Sequence, residues 1–344
     1  MLHAALIPRL LAATLCAWLL TATGAVAVAP PGASIEDRSR ALQRASDAVV
    51  GLQAMAVDGA SSARTLGRER RGSGVVIDSD GLVLTIGYLI LEAEQVLLRT
   101  DDGRQFPARV VAYDLATGFG LVQSLAPLRL AAVPLGRAEA VAAAEPLMIA
   151  SGGEAGTVSI AQMVSRRPFS GYWEYHVDAA LFTSPPRGDH SGAGLFNSRG
   201  ELVGIGSLFV ADAMGPDAPR HPGNMFVPVD LLLPILDELR SRGRSAASER
   251  AWLGINCVEL AGAVRVVRVS ADSPADVAGL RPGDRILRID GVEVGGLERL
   301  WKTLWAGPSP EREVTLEIQR DGSNQTLKVF SVYRAKTLRR AQGV

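Results

Sequence analysis

The chain has 344 residues, 47% of them apolar and 21% charged, which excludes a disordered polypeptide and suits two or three packed domains. Its 36 basic and 36 acidic residues cancel, and no basic run interrupts the balance. That excludes a nucleic-acid partner held by bulk charge.

The N-terminus reads as an export signal over residues 1–29. Arg9 precedes an apolar run from Leu10 to Leu20, which leads into Ala25-Val26-Ala27 and Ala27-Val28-Ala29, small residues spaced as signal peptidase accepts them. An uncleaved anchor facing the periplasm is the alternative, because the apolar stretch approaches spanning length. Cleavage is expected to leave a soluble periplasmic chain with no integral membrane domain. Its one remaining cysteine, Cys257, allows no internal disulfide.

Residues 30–48 form a polar, Ala-rich N-terminal segment in which Ile35 to Ala45 suits a short helix. Val49 to Val57 reads as a first strand, and Gly59 to Arg71, rich in Ser, Gly and Arg, as an exposed loop. Short strands follow at Gly74–Ile77, Leu82–Thr85, Val96–Arg99, Phe106–Val111, Gly120–Val122, Leu147–Ile149, Thr157–Val164 and Tyr172–Val177, punctuated by Asp-Gly and Gly-rich turns. This rhythm indicates a β-barrel or sandwich. The stretch from Gly188 to Gly206 then sets Ser191 in a glycine-rich turn before a hairpin, whose strands flank Asn197-Ser198-Arg199-Gly200. Such a turn suits a nucleophile, because its backbone can also supply N–H donors to an oxyanion. Taken alone, it suits a plain turn better, because a small Gly/Ser loop before a hairpin is common.

Asp230 to Arg242 places Leu231, Leu232, Ile235, Leu236 and Leu239 on one face of an expected packing helix. Residues 241–249 read as a polar linker, 250–335 as a second domain and 336–344 as a tail.

The chain from about Val49 to Val332 resembles the HtrA/Deg family of exported, trypsin-fold serine endopeptidases, with residues 49–240 as the trypsin-like domain. The resemblance rests on Gly72-Ser73-Gly74-Val75-Val76-Ile77-Asp78, Asp102-Gly103-Arg104, Asp178-Ala179-Ala180, Ser191-Gly192 with its hairpin to Ile205, and Phe226-Val227-Pro228. It implies a mainly β fold, a trypsin-like double β-barrel followed by a small α+β PDZ domain. It also implies a Ser-His-Asp triad, since a serine hydroxyl needs a base and an orienting carboxylate. Here the resemblance breaks. Tyr88 stands at the histidine position in Thr85-Ile86-Gly87-Tyr88-Leu89-Ile90, and Gly118 at the aspartate position before Phe119-Gly120-Leu121-Val122. Asp189 replaces the glycine whose N–H, with that of Ser191, would form the oxyanion hole. Ser184-Pro185-Pro186 is expected to reshape the primary specificity pocket. His190, His176 and His221 read as ordinary polar residues rather than substitute bases. Asp114 is the nearest carboxylate to the missing aspartate, four residues away.

Residues 250–335 resemble a PDZ module through Trp252-Leu253-Gly254-Ile255, Val264–Val269, Ser273-Pro274-Ala275, the run Ala278 to Ile286, and Ile289-Asp290-Gly291. The resemblance implies that Leu253, Gly254 and Ile255 present backbone N–H groups to a peptide carboxylate while the peptide adds a strand. Leu300, Trp301 and Leu304, on a helix from Leu297 to Trp305, either wall the side-chain pocket or fill the core.

The expected function is that of a proteolytically impaired pseudoprotease binding unfolded or C-terminal peptide segments. The alternatives are an active endopeptidase using Ser191 with a non-standard base, and a non-catalytic subunit regulating active family members in homo- or mixed oligomers, as family trimers suggest. No cofactor motif or metal-ligand cluster is visible in the sequence.

Overall fold

The computed structural model describes residues 34–142 and 144–339. The expected export signal lies outside the described residues. Helix α1 (Ile35–Asp47) leads into a closed barrel of β1 (Val49–Ala56), β2 (Glu69–Val76), β3 (Leu82–Ile86), β4 (Ala93–Arg99), β5 (Gln105–Tyr113) and β6 (Phe119–Ser124), ordered β1-β2-β3-β6-β5-β4. The turns form where the sequence supplies the chemistry. Between β2 and β3 the Asp80 N–H donates to Asp78 Oδ1 at 2.6 Å, and Gly81 takes the left-handed conformation. Strand β3 is buried on both faces, so its side chains lie at the centre of the fold.

A second closed barrel comprises β7 (Pro146–Ala150), β8 (Val158–Gly171), β9 (Tyr175–Ser184), β10 (Gly194–Phe196), β11 (Leu202–Val210) and β12 (Gly223–Pro228), ordered β10-β11-β12-β9-β8-β7. One apolar cluster runs through both barrels, from Val75, Leu84 and Leu121 to Phe182, Ile205 and Val227. The C-terminal unit adds β13 (Ala251–Trp252), β14 (Ile255–Leu260), β15 (Ala263–Val269), β16 (Arg285–Ile289), β17 (Val292–Glu293), β18 (Glu313–Arg320), β19 (Ser323–Phe330) and β20 (Val332–Tyr333). Its main sheet is ordered β14-β15-β16-β18-β19, which leaves β14 at an edge, and it has its own core around Leu300, Trp301 and Leu316.

Three expectations are corrected by this structure. The supposed loop from Gly59 to Arg71 contains helix α2 (Ala63–Leu66) and the start of β2, where Arg70 is buried. The expected helix from Asp230 becomes α3 (Leu236–Arg242), since in a helix begun at Asp230 Pro234 would have no N–H to give the Asp230 carbonyl. The strand expected at Tyr172–Val177 begins at Tyr175, and Tyr172 to Glu174 turn the β8–β9 hairpin. The segment read as a linker, residues 241–249, is tied down, with Ser245 and Ser248 buried. The helices of the C-terminal unit are α4 (Pro274–Val277) and α5 (Leu297–Trp305).

Asp114, between β5 and β6, makes that tie. Its carboxylate accepts from Ser245 N at 3.1 Å, Ser245 Oγ at 2.6 Å, Thr117 N at 2.9 Å and Thr117 Oγ1 at 2.7 Å, and also from Ser248 Oγ. Burial alone would raise its pKa; the serine and threonine hydrogen bonds outweigh that and hold it below the usual value. Asp114→Ala strands these buried donors together, so denaturant unfolding is expected to show a loss of about 3 kcal/mol or more. An unchanged midpoint would show that the carboxylate does not hold the linker.

Candidate active site

The Ser191 turn is pinned to the first barrel. Gly192 sits at φ +75°, and a Cβ there would lie 2.0 Å from the Ser73 carbonyl oxygen, so only glycine fits. Ser73 N donates to the Ser191 carbonyl at 2.9 Å, and Thr85 Oγ1 donates to Ser73 O at 2.7 Å. Strand β3 ends in a single 3-10 turn, Gly87–Leu89, that points Tyr88 back at this loop. Its carbonyl is held by Arg70 Nη1 at 3.0 Å, and the same guanidinium reaches Leu91 O at 2.5 Å and Ser62 Oγ at 2.7 Å.

Tyr88 Oη lies 2.8 Å from Ser191 Oγ and 2.8 Å from the Ser207 carbonyl oxygen. A phenol has one proton to give, and the Ser207 carbonyl can only accept. The phenol therefore donates to Ser207, and the Ser191 hydroxyl donates to the phenol oxygen. Burial pushes the Tyr88 pKa up to about 12, against a smaller opposing effect of the Ser191 bond. Among the described residues Ser191 Oγ has no other hydrogen-bond partner.

The ground behind Tyr88 is aromatic. Gly118 sits at φ +82°, and a Cβ on it would lie 3.0 Å from Tyr175 Oη. That hydroxyl donates to Thr117 O at 2.6 Å, and the Tyr175 ring stacks on Trp173 at 5.7 Å. A Cβ on Gly87 would meet the Tyr113 ring at 2.3 Å. Asp114 is committed to the linker, as described above.

The histidines are engaged elsewhere. His190 Nδ1 lies 2.9 Å from Arg187 O. His176 bridges Ser170 Oγ at 2.9 Å and Asp178 Oδ1 at 3.1 Å, and His221 pairs through its backbone with Asp212. Asp189 turns its carboxylate toward Ser151 Oγ at 2.5 Å, Thr157 Oγ1 at 2.9 Å and Arg187 Nε at 2.9 Å. Burial opposes its ionisation, yet these bonds hold its pKa well below the usual carboxylate range. Arg187 also donates to Ser159 Oγ at 2.6 Å, so its side chain crosses the region after Ser184-Pro185-Pro186. His176, Asp178 and Glu298 have the spacing of a metal site. Lys302 Nζ already supplies a cation there, 2.6 Å from Asp178 Oδ1 and 2.7 Å from Glu298 Oε1.

The loop before β14 is built for a carboxylate. Gly254 sits at φ +85°, where a Cβ would lie 2.3 Å from Ser273 Cβ, so the loop closes tightly over the start of α4. Its three N–H groups point at one acceptor, Glu174 from the tip of the β8–β9 hairpin. Glu174 Oε1 receives Gly254 N at 2.7 Å and Ile255 N at 3.1 Å, and Glu174 Oε2 receives Leu253 N at 3.1 Å. The side chains of Leu253, Ile255, Leu300 and Leu304 are buried in the core. Trp301, also buried, donates its indole N–H to Gly171 O at 3.0 Å. Glu174 is the residue that sequence reasoning missed. Its only sequence signal is an acid after two aromatics at a turn, which does not name a loop 79 residues away.

Residues 72–205 match the trypsin-like peptidase domain family, and residues 251–330 match the PDZ domain family. The chain is 28% identical over 286 residues to a probable periplasmic serine endoprotease DegP-like of Ectopseudomonas mendocina (strain ymp), a match covering 76% of this chain and 57% of that protein. It is 26% identical over 309 residues to the serine endoprotease DegS of Escherichia coli (strain K12), covering 84% of each. The chain thus spans little more than half the length of the DegP-like relatives it matches. A solved structure, the HtrA-type protease AlgW with decapeptide, aligns with a TM-score of 0.52 at 20% identity, covering 86% of this chain and 98% of that one. That is a likeness of fold.

Proposed function

Because this chain belongs to the HtrA/Deg-like family, in which a trypsin-like serine endopeptidase domain is joined to a PDZ domain, we propose that it is an exported pseudoprotease. It binds unfolded or C-terminal peptide segments through the PDZ domain and does not cut them. The observation that carries this reading is the 2.8 Å contact between Tyr88 Oη and Ser191 Oγ.

Attack on a peptide carbonyl requires the serine proton to leave, and the same proton must later reach the departing amine. Imidazole does both near neutral pH. A neutral phenol has no basicity to offer. With a pKa of about 12, the phenolate is about one molecule in a hundred thousand at pH 7. Loss of the base from such a triad costs on the order of a million-fold in turnover. Peptide recognition needs none of this chemistry. It needs the edge of β14 outside the main sheet and the convergent N–H groups of Leu253, Gly254 and Ile255, which this chain has and which its own β8–β9 hairpin occupies.

A fluorophosphonate probe tests the proposal on the full chain. Labelling is expected to be no greater than that of Ser191→Ala. Stoichiometric labelling that the substitution abolishes would reinstate an active endopeptidase.

A further inference from the structure

We propose that the tip of the β8–β9 hairpin is an internal ligand of the PDZ groove, and that a foreign C-terminal peptide gains the groove by displacing Glu174. This rests on the reading of that domain as a receptor for terminal carboxylates.

Three contacts at separate points argue for it. The carboxylate of Glu174 takes the N–H groups of Leu253, Gly254 and Ile255, the donors a peptide terminus would use. The chain before it behaves as an added strand: Cys257 N donates to Tyr172 O at 2.6 Å, and Trp173 bridges antiparallel to Asn256 on the open edge of β14. The facing helix α5 closes over the same segment, with Trp301 Nε1 on Gly171 O at 3.0 Å and Lys302 Nζ on Asp178 Oδ1 at 2.6 Å. Edge strand, carboxylate loop and helix are therefore all engaged by one hairpin of the same chain.

The competition has a physical basis. One set of N–H donors serves one carboxylate at a time, so a peptide terminus and Glu174 exclude each other. The internal ligand needs no association entropy, since its hairpin is already attached to the barrel. A free peptide with the same contacts therefore binds more weakly to the intact chain than to one whose latch is broken. The β8–β9 hairpin also carries Tyr175, so the latch and the aromatic ground behind Tyr88 share one element.

The test is a fluorescence-anisotropy titration of the full chain with a labelled decapeptide ending in an apolar residue and a free carboxylate. Its amidated counterpart serves as control. The proteins are the wild type, Glu174→Ala and Glu174→Lys, the last replacing the acceptor with a cation that the loop's N–H donors cannot bind. Amide hydrogen exchange over Leu253–Cys257 is followed in parallel. Both variants are expected to bind the free-carboxylate peptide at least about tenfold more tightly than wild type, to leave the amidated peptide weak, and to exchange these amides faster. Equal affinities in wild type and variants, or unchanged exchange, would overturn the latch. If exchange accelerates but no protein binds the peptide, the latch stands and the receptor reading falls.

Discussion

Histidine at position 88 will not make this protein a peptidase, and neither will the pair Tyr88→His/Gly118→Asp. With histidine alone, Ser191 gains a base that no carboxylate orients, and loss of that carboxylate costs about ten-thousand-fold in comparable triads. Adding aspartate at 118 meets two obstacles. The backbone there sits at φ +82°, a conformation that costs a non-glycine residue about 1 kcal/mol or more. Its Cβ would also lie 3.0 Å from Tyr175 Oη, which is held by Thr117 O at 2.6 Å and by the stack on Trp173. The double variant is expected to lose about 1–3 kcal/mol of stability and to hydrolyse denatured casein below about one ten-thousandth the rate of an intact triad. Turnover at an ordinary protease rate would show that the second barrel had kept room for the carboxylate.

Affinity for a C-terminal peptide is expected to rise with pH. Burial, only partly offset by the N–H bonds of Ile255, Leu253 and Gly254 and by Arg334, pushes the docked Glu174 pKa from 4.5 up to about 7. Arg250 and Cys257 are its other charged or titratable neighbours; the Cys257 thiol is pushed up, by burial first and by Glu174 second, and stays protonated. Released into solvent, Glu174 returns to an ordinary carboxyl. Between pH 4.5 and about 7 the docked form therefore holds more protons than the released form. Acid tightens the latch, and raising the pH through 7 loosens it. The free peptide's terminus is ionised throughout this window and its titration in the groove is common to wild type and variants, so the Glu174 contribution to wild-type affinity should improve on the order of a hundredfold from pH 5 to pH 8. In Glu174→Gln that slope should vanish. A slope of the opposite sign, or one that survives the substitution, would remove Glu174 as its source.

Much of the fold was legible because its signals are local. Asp78-Ser79-Asp80-Gly81 makes a turn by its own side chain, alternating apolar runs make the strands, and the spacing of Leu297, Leu300, Trp301 and Leu304 marks α5. The local errors also have local causes. Pro234 delayed a helix, and the aromatic run at Tyr172 looked like a strand because its residues favour strands, although register places the hairpin turn there. Arg70 was read as exposed because charge usually is, yet it finds carbonyl partners inside.

The sequence by itself determined the strands, the glycine-rich serine turn and the family resemblance, and through that resemblance the expectation that tyrosine and glycine stand where the motif carries histidine and aspartate. The tertiary structure alone decided that Tyr88 meets Ser191 across 103 residues, that Tyr175 fills the space beside Gly118, and that Glu174 enters the loop at 253–255. Turn chemistry and alternation act over a few residues and are written in local order. Meetings between distant side chains depend on barrel closure, strand register and the seating of one domain against another, which no short stretch of sequence encodes.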